Sequence, residues 1–328
     1  VGDVSSMTER NFAWGDTIVV RQALVDSLPN GFSFISPQQN LLGMGYPPHE
    51  GDPELIELLK DLASVQMGSR PRYLFVTNGA TGALNASLSV LKGSADYGVF
   101  GDTYFPFYPG IVSSHGLIGI SYDKMNDFMH SGVTRQGFVV IADSPSNPEG
   151  VVRRGEADIW DAAYASHKYG GGKWCQPLFW QVMCGSLSKT LGLNGIRLGW
   201  VATDKAHIAE ALKLAVTNQY CGISQLQQEL AKSILKVLDR HSFEIKAKSY
   251  IDDNREEWAK VAQKFGQQSG NTGMFQILRL AQAEERALNK AGVIWQPGDS
   301  WGRDRSWARI SLGQDRALTR NAVKDVLS

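Results

Sequence analysis

Apolar residues recur at helical spacing over residues 52–66, where Leu55, Ile56, Leu58, Leu59, Leu62 and Val65 share one face. Asp52-Pro53 supplies a helix start there. Beyond this stretch the pattern changes to short, β-rich apolar runs at Tyr73–Thr77, Tyr97–Phe100, 117–122, 137–142 and 178–183. These predict buried strands, and a further short strand is expected just ahead of Asp161. The first run turns through Asn78-Gly79-Ala80-Thr81-Gly82 into a helix of small and apolar residues ending near Leu91. Strands alternating with helices predict an α/β fold with a mainly parallel central sheet flanked by helices.

The pattern changes again after Trp200. Residues 205–217, 224–238 and 244–265 read as helices, the last long and charged. Residues 274–280 read as a strand, 284–291 as a helix, 293–295 as a short strand and Gln296-Pro297-Gly298-Asp299 as a turn. In 307–313, alternation places Ala308, Ile310 and Leu312 on one face, and Trp307, Arg309 and Ser311 on the other. This part predicts a smaller α+β domain. At the other end, residues 11–28 open with Trp14-Gly15-Asp16 and continue in a short helical pattern, and 30–46 is turn-rich. The expected division is an N-terminal arm (1–40), a large α/β domain (41–218) and a small C-terminal domain (219–328).

Composition narrows the class. The 328 residues carry 33 Lys+Arg and 33 Asp+Glu, so no strong field favours nucleic acid or an anionic membrane. No apolar run is long enough to span a bilayer, and the N-terminus lacks a charged-then-apolar leader. The three cysteines, Cys175, Cys184 and Cys221, show no CxxC spacing. That pattern predicts reduced thiols, a cytoplasmic protein and no metal site. The first methionine is Met7, and residues 1–6 are set aside from the fold.

The chemistry concentrates in 185–200, GSLSKTLGLNGIRLGW. Lys189 stands between Ser186 and Ser188 on one side and Arg197 on the other, with Gly192, Gly195 and Gly199 interspersed. A lysine at the end of a buried strand is desolvated, which lowers its pKa and favours the nucleophilic amine. Two hydroxyls and a guanidinium beside it suit a phosphate. An amine next to a phosphate site is what pyridoxal 5′-phosphate (PLP) requires; the alternative is an ordinary surface lysine. The helix start at Ala80-Thr81 offers a second phosphate-binding wall. It lacks a Walker lysine and the GxGxxG spacing, so a nucleotide site or a Rossmann dehydrogenase is poorly supported. Tyr104, in an aromatic run after the second strand, is a candidate to stack on a planar heterocycle, with core packing as the alternative. Asn147 lies in a turn-forming run, and Asp161 and Tyr164 follow a short strand. All these residues fall at strand C-terminal ends, where ligands of open α/β sheets bind.

With these motifs in place, the chain resembles the fold-type I, class I/II PLP-dependent aminotransferases from about Trp14 to Gly313. SxSKxxGxxGxRxGW, SNPEG, DAAY and PGDSWG…ARISLG occur in the order expected of that family. SPSNPEGVVRR passing after a very short interval to DAAY, and Gly222-Ile223-Ser224, look most like the tryptophan aminotransferase and alliinase branch. The resemblance implies that Lys189 is the Schiff-base lysine and that Asp161 pairs with the pyridinium nitrogen. Tyr164 and Asn147 would bond the cofactor's phenolic oxygen, and Tyr104 would stack on its ring. Ala80 (through its N–H), Thr81, Ser186, Ser188 and Arg197 would hold the phosphate. Tyr46 would reach the phosphate of a partner subunit, which implies a homodimer with shared sites. Arg309 would grip the substrate α-carboxylate, and Trp14-Gly15 would close over the substrate. Asp16-Thr17 departs from the family's usual Asp-Pro. The implied activity is transamination between an α-amino acid, aromatic or apolar, and a 2-keto acid. The alternatives are a β-eliminating C–S lyase, which shares every cofactor residue, and a non-catalytic ligand-binding module, for which a proton-shuttling lysine has no use.

Overall fold

The computed structural model describes residues 10–32, 45–153, 155–170 and 180–328. Its centre is a seven-stranded sheet in the order β1-β7-β6-β5-β4-β2-β3. The strands are β1 (Tyr73–Thr77), β2 (Tyr97–Phe100), β3 (Ile118–Ser121), β4 (Phe138–Asp143), β5 (Ile159–Asp161), β6 (Val182–Ser186) and β7 (Gly199–Thr203). Pairings among β3, β2, β4, β5 and β6 are all parallel, whereas β7 runs antiparallel to both β6 and β1. The sheet is therefore mainly parallel, as expected. β4, β5, β6 and β7 are buried along their whole length, so they read as continuous apolar runs.

Helices cover both faces. On one, Ala83, Leu84 and Leu88 of the helix Gly79–Leu91 pack with Leu212 and Val216 of the helix Ala206–Tyr220 over Val139, Ile141 and Val201. On the other, Leu55 and Leu59 of the helix Pro53–Met67 join Val76, Met183 and Trp200 in a core that continues into the C-terminal part. The Asp52 carboxylate caps Pro53–Met67 by accepting the Leu55 N–H at 2.9 Å. The C-terminal part carries a three-stranded antiparallel sheet, β8 (Phe275–Arg279), β10 (Trp307–Ser311) and β9 (Gln296–Pro297). The helices Arg240–Lys264, Gln282–Lys290 and Arg316–Leu327 lie with it. The N-terminal segment joins this sheet: Phe12 N–H donates to the Ile294 carbonyl, and the Ser311 N–H donates to the Phe12 carbonyl.

Several elements differ from the sequence reading. The strand expected at 178–183 is Val182–Ser186; residues 178 and 179 lie outside the described ones. Gly185 sits inside this strand because the Trp200 indole fills the space where a Cβ would go. Ser186 closes the strand, and Lys189 lies in the following turn of helix, Leu187–Thr190. The strand expected at 293–295 reduces to a bridge between Asn11 and Ile294, and pairing shifts to Gln296–Pro297. The helices Tyr108–Ser114, Tyr122–His130 and Arg316–Leu327, and strand β7, were not anticipated. Most of the segment 30–46, residues 1–6, Cys175 and the expected boundary at 40/41 also lie outside the described residues.

Candidate active site

The carboxyl ends of β1, β4, β5 and β6, the loop after β2, the N-terminal segment and β10 surround one cleft of about 1350 Å³. Lys189 reaches into it from the helical turn after β6, partly exposed, and its amine donates to the Gly15 carbonyl. Burial lowers the Lys189 pKa to about 8, with Arg309 and Arg197 adding to the fall and Asp16 opposing it. The lysine's own backbone is fixed by the Tyr169 hydroxyl, which donates to the Lys189 carbonyl at 2.8 Å.

Asp161 closes β5 at the cleft floor and is buried. Its Oδ1 accepts the Ala163 N–H and its Oδ2 accepts the Tyr108 hydroxyl, both at 2.9 Å. Burial pushes its pKa up, and the two hydrogen bonds oppose the shift. Among the described residues no cation pairs with it. Arg309 presents the opposite case. The residue is 4% exposed, and its guanidinium lies over the Phe275 ring at 4.3 Å. Nη1 donates to Asn147 Oδ1 at 2.9 Å and Nη2 to the Ala13 carbonyl at 2.8 Å. Nε is buried without a hydrogen-bond partner, and among the described residues no carboxylate pairs with the group. Burial lowers its pKa to about 10. The sequence placed Arg309 opposite the apolar face of its strand; the structure shows both faces buried, with Arg309 turned to the cleft.

A cradle of donors forms at another part of the cleft. Ala80 and Thr81 line it from the first turn of Gly79–Leu91, whose N-cap residue Asn78 makes no side-chain bond to the helix N–H groups. Ser186, Ser188 and Arg197 line it from the lysine loop, and Arg197 Nη1 lies 3.4 Å from Ser188 Oγ. The helix and loop approach closely because Gly199 lacks a side chain: a Cβ there would lie 2.4 Å from the Gly79 carbonyl carbon and 2.8 Å from the Ala80 nitrogen. Arg197 itself adopts a left-handed backbone (φ 52°) to reach inward.

The remaining expected residues are placed as follows. Tyr164, buried, and Asn147, 2% exposed, both line the cleft. Burial raises the Tyr164 pKa well above the usual phenol range, against the lowering pull of Arg309. Trp14, 65% exposed, and Gly15 line it from the N-terminal segment. That segment is tied to the lysine loop by Thr17, whose hydroxyl donates to Asn194 Oδ1 at 2.6 Å, so the unusual Asp16-Thr17 pair has a structural use. Tyr46 is 93% exposed and does not line the cleft of its own chain. Tyr104 departs from expectation: it does not line the cleft. Its ring packs edge-on against Phe100, its N–H donates to the Trp301 carbonyl, and Gly302 packs against it where a side chain would collide. Phe105, Phe107 and Tyr108 form the aromatic wall instead. Sequence reasoning also missed Tyr108, whose only signal was its place in the aromatic run.

The family comparison decides what this arrangement is. The model of the aminotransferase class I and II family matches residues 159–326. The chain belongs to that family. A curated plant relative, tryptophan aminotransferase-related protein 2 of Arabidopsis thaliana, is 25% identical over 222 residues, 60% of this chain and 47% of its own. The chain thus spans about half the length of that relative. Among solved structures, the aromatic aminotransferase of Pyrococcus horikoshii superposes with a TM-score of 0.76 at 18% identity, covering 97% of this chain and 94% of the other. An aspartate aminotransferase of Rhodobacter sphaeroides gives 0.75 at 15% identity, covering 97% and 92%. Those likenesses establish the fold, that of the fold-type I PLP transferases. The cleft fits the cofactor of this family: a buried carboxylate without a cation, an amine of lowered pKa, and a phosphate cradle of hydroxyls, guanidinium and helix N–H groups. Among the described residues no cluster of His, Cys, Asp or Glu could hold a metal ion, and no helix is long and apolar enough to cross a membrane.

Proposed function

We propose that this class I/II family member is a PLP-dependent aminotransferase that moves an amino group between an α-amino acid and a 2-keto acid. The observation that carries the reading is one of charge. Asp161, a buried carboxylate without a cation among the described residues, and Arg309, a buried guanidinium without a carboxylate there, share one cleft with Lys189, whose pKa burial lowers to about 8. When bound, PLP supplies an electrophilic carbonyl carbon and a ring that delocalises negative charge from the substrate Cα.

The residues divide the work. Ser186, Ser188, Arg197, Thr81 and the Ala80 N–H hold the phosphate. Asp161, oriented by Tyr108, holds the ring nitrogen in its protonated form, since a cation beside it restores the carboxylate that burial disfavours. Phe105, rather than Tyr104, takes the stacking role, and Tyr164 and Asn147 serve the phenolic oxygen. Lys189 would hold the cofactor through its amine, and the same amine, when free and neutral, would take the proton from the substrate Cα. Arg309 would grip the α-carboxylate by its guanidinium N–H groups and so fix the orientation of the substrate Cα.

An aromatic or apolar donor suits walls built from Trp14, Ile18, Phe107 and Leu318. The tryptophan aminotransferase and alliinase branch accords with the plant relative. A homodimer accords with Tyr46, which is exposed and does not line the cleft of its own chain. The division into arm, large domain (41–218) and small domain, and a cytoplasmic location with reduced cysteines, complete the proposal. The test is a panel of amino donors assayed with and without pyruvate or 2-oxoglutarate. Turnover that requires the keto acid is expected. Pyruvate and ammonia released without a keto acid would make the protein a β-eliminating lyase, and no reaction with any donor would overturn the reading.

A further inference from the structure

Asp143 ends β4 and, in the parallel pairing with β5, stands level with Asp161. It lines the cleft at 7% exposure, and nothing in the reading above uses it. An acid closing a strand that is otherwise apolar needs a reason, because burial pushes its pKa up to about 7. The geometry supplies one. Asp143 Oδ2 accepts the main-chain N–H of Asn147 at 2.7 Å. On its other side Arg153 Nε lies 3.8 Å from Oδ1. Asn147 Oδ1 in turn accepts Arg309 Nη1 at 2.9 Å. A continuous chain of polar contacts therefore runs from the end of β4, through the 144–150 turn, to the guanidinium on β10.

We propose that Asp143 is a positioning residue: it fixes the Asn147 backbone so that the Asn147 side chain holds Arg309 aligned for a substrate carboxylate. The proposal rests on Arg309 having that role. Prolines at 145 and 148 donate no N–H, and the Ser146 and Gly150 N–H groups bond locally to the Val151 and Ser146 carbonyls, so the Asn147 N–H is the bond that ties this part of the turn to the end of β4. What Asp143 must provide is an acceptor oxygen in one place, and its charge is secondary.

Two variants separate these contributions. Asp143→Asn retains an oxygen where the Asn147 N–H needs it, and Asp143→Val removes it at similar volume. In the PLP-loaded enzyme, Asp143→Val should raise KM for the amino donor about tenfold, with a smaller fall in kcat. The PLP dissociation constant, read by quenching of tryptophan fluorescence, should rise less than KM does, because Asn147 is one of several residues that hold the cofactor. Asp143→Asn should return KM to within about threefold of wild type. On the proteins as purified, amide exchange at Asn147 should quicken at least about tenfold in Asp143→Val and not in Asp143→Asn. Should Asp143→Val not fold, Asp143→Ala, which also lacks an acceptor, is read by the same two criteria. Wild-type KM and exchange in the acceptor-less variant would overturn the proposal. So would an Asp143→Asn variant as impaired as Asp143→Val. The exchange result stands whether or not the wild type turns over, whereas failure of the aminotransferase reading appears as absent turnover in the wild type itself.

Discussion

The two unpaired charges in the cleft lead to definite expectations for single residues. Arg309→Ala removes a charge-assisted grip of about 1.5–3 kcal/mol, which corresponds to roughly ten- to a hundredfold in kcat/KM. Arg309→Lys keeps the charge and loses the fork, so it should also be impaired. Arg303, paired on the surface with Glu149, and Arg305, exposed, should tolerate alanine. Steady-state kinetics on these variants, with PLP binding checked separately, decides the matter. Lys189 offers a pH test. Its folded pKa is lowered to about 8, so the neutral amine gains as pH rises through 8 rather than through the ordinary lysine range. The rate of PLP attachment should rise with pH with a midpoint near 8. Removing Arg309 takes away a neighbouring cation, which favours the protonated amine, so the midpoint should move up in Arg309→Ala. A midpoint above 10 in the wild type, or a downward move in the variant, would contradict this electrostatic account.

At the scale of elements, the cradle depends on the approach of β7 to the start of the helix Gly79–Leu91. A methyl group at position 199 would meet the Gly79 carbonyl carbon, the Gly185 carbonyl oxygen and the Ala80 nitrogen, all within 3 Å. Gly199→Ala should therefore lower stability by about 1–3 kcal/mol and weaken PLP binding more than it affects helix content. Denaturant unfolding and a PLP titration measure the two. Element types were readable where a period was strong: the helix Pro53–Met67 and strands β1, β2 and β4 lie where apolar spacing put them. β7 escaped notice because its residues, Gly199 to Thr203, follow a glycine-rich loop and pair antiparallel through long-range contacts. The terminal helix Arg316–Leu327 is capped by Asp315, whose carboxylate accepts the Ala317 and Leu318 N–H groups. Asp315 three residues ahead of Leu318 is a cap signal legible in the sequence itself.

For the whole molecule, chain order and motif spacing were enough to name the residues that converge, since Lys189, Asp161, Asn147, Tyr164 and Arg309 all line one cleft. What pattern could not supply was orientation. In the run Tyr104-Phe105-Pro106-Phe107-Tyr108 adjacent aromatics are equally apolar, and packing of Gly302 against Tyr104 decides which ring faces the cleft. The same holds for Asp143, whose value lies in a backbone N–H four residues on. Shared sites are a prediction at this scale. Inactive Tyr46→Phe and Lys189→Ala chains, mixed into verified heterodimers, should recover part of the activity through one intact site, and no recovery would place Tyr46 outside the site.

The central claim is that Lys189 carries the cofactor, and one measurement addresses it directly. Protein incubated with PLP is reduced with borohydride, digested and mapped. The account predicts a single pyridoxyl-modified peptide containing Lys189, and its loss together with turnover in Lys189→Ala. A label on another lysine, such as the buried Lys168, or no fixed label at all, would contradict it.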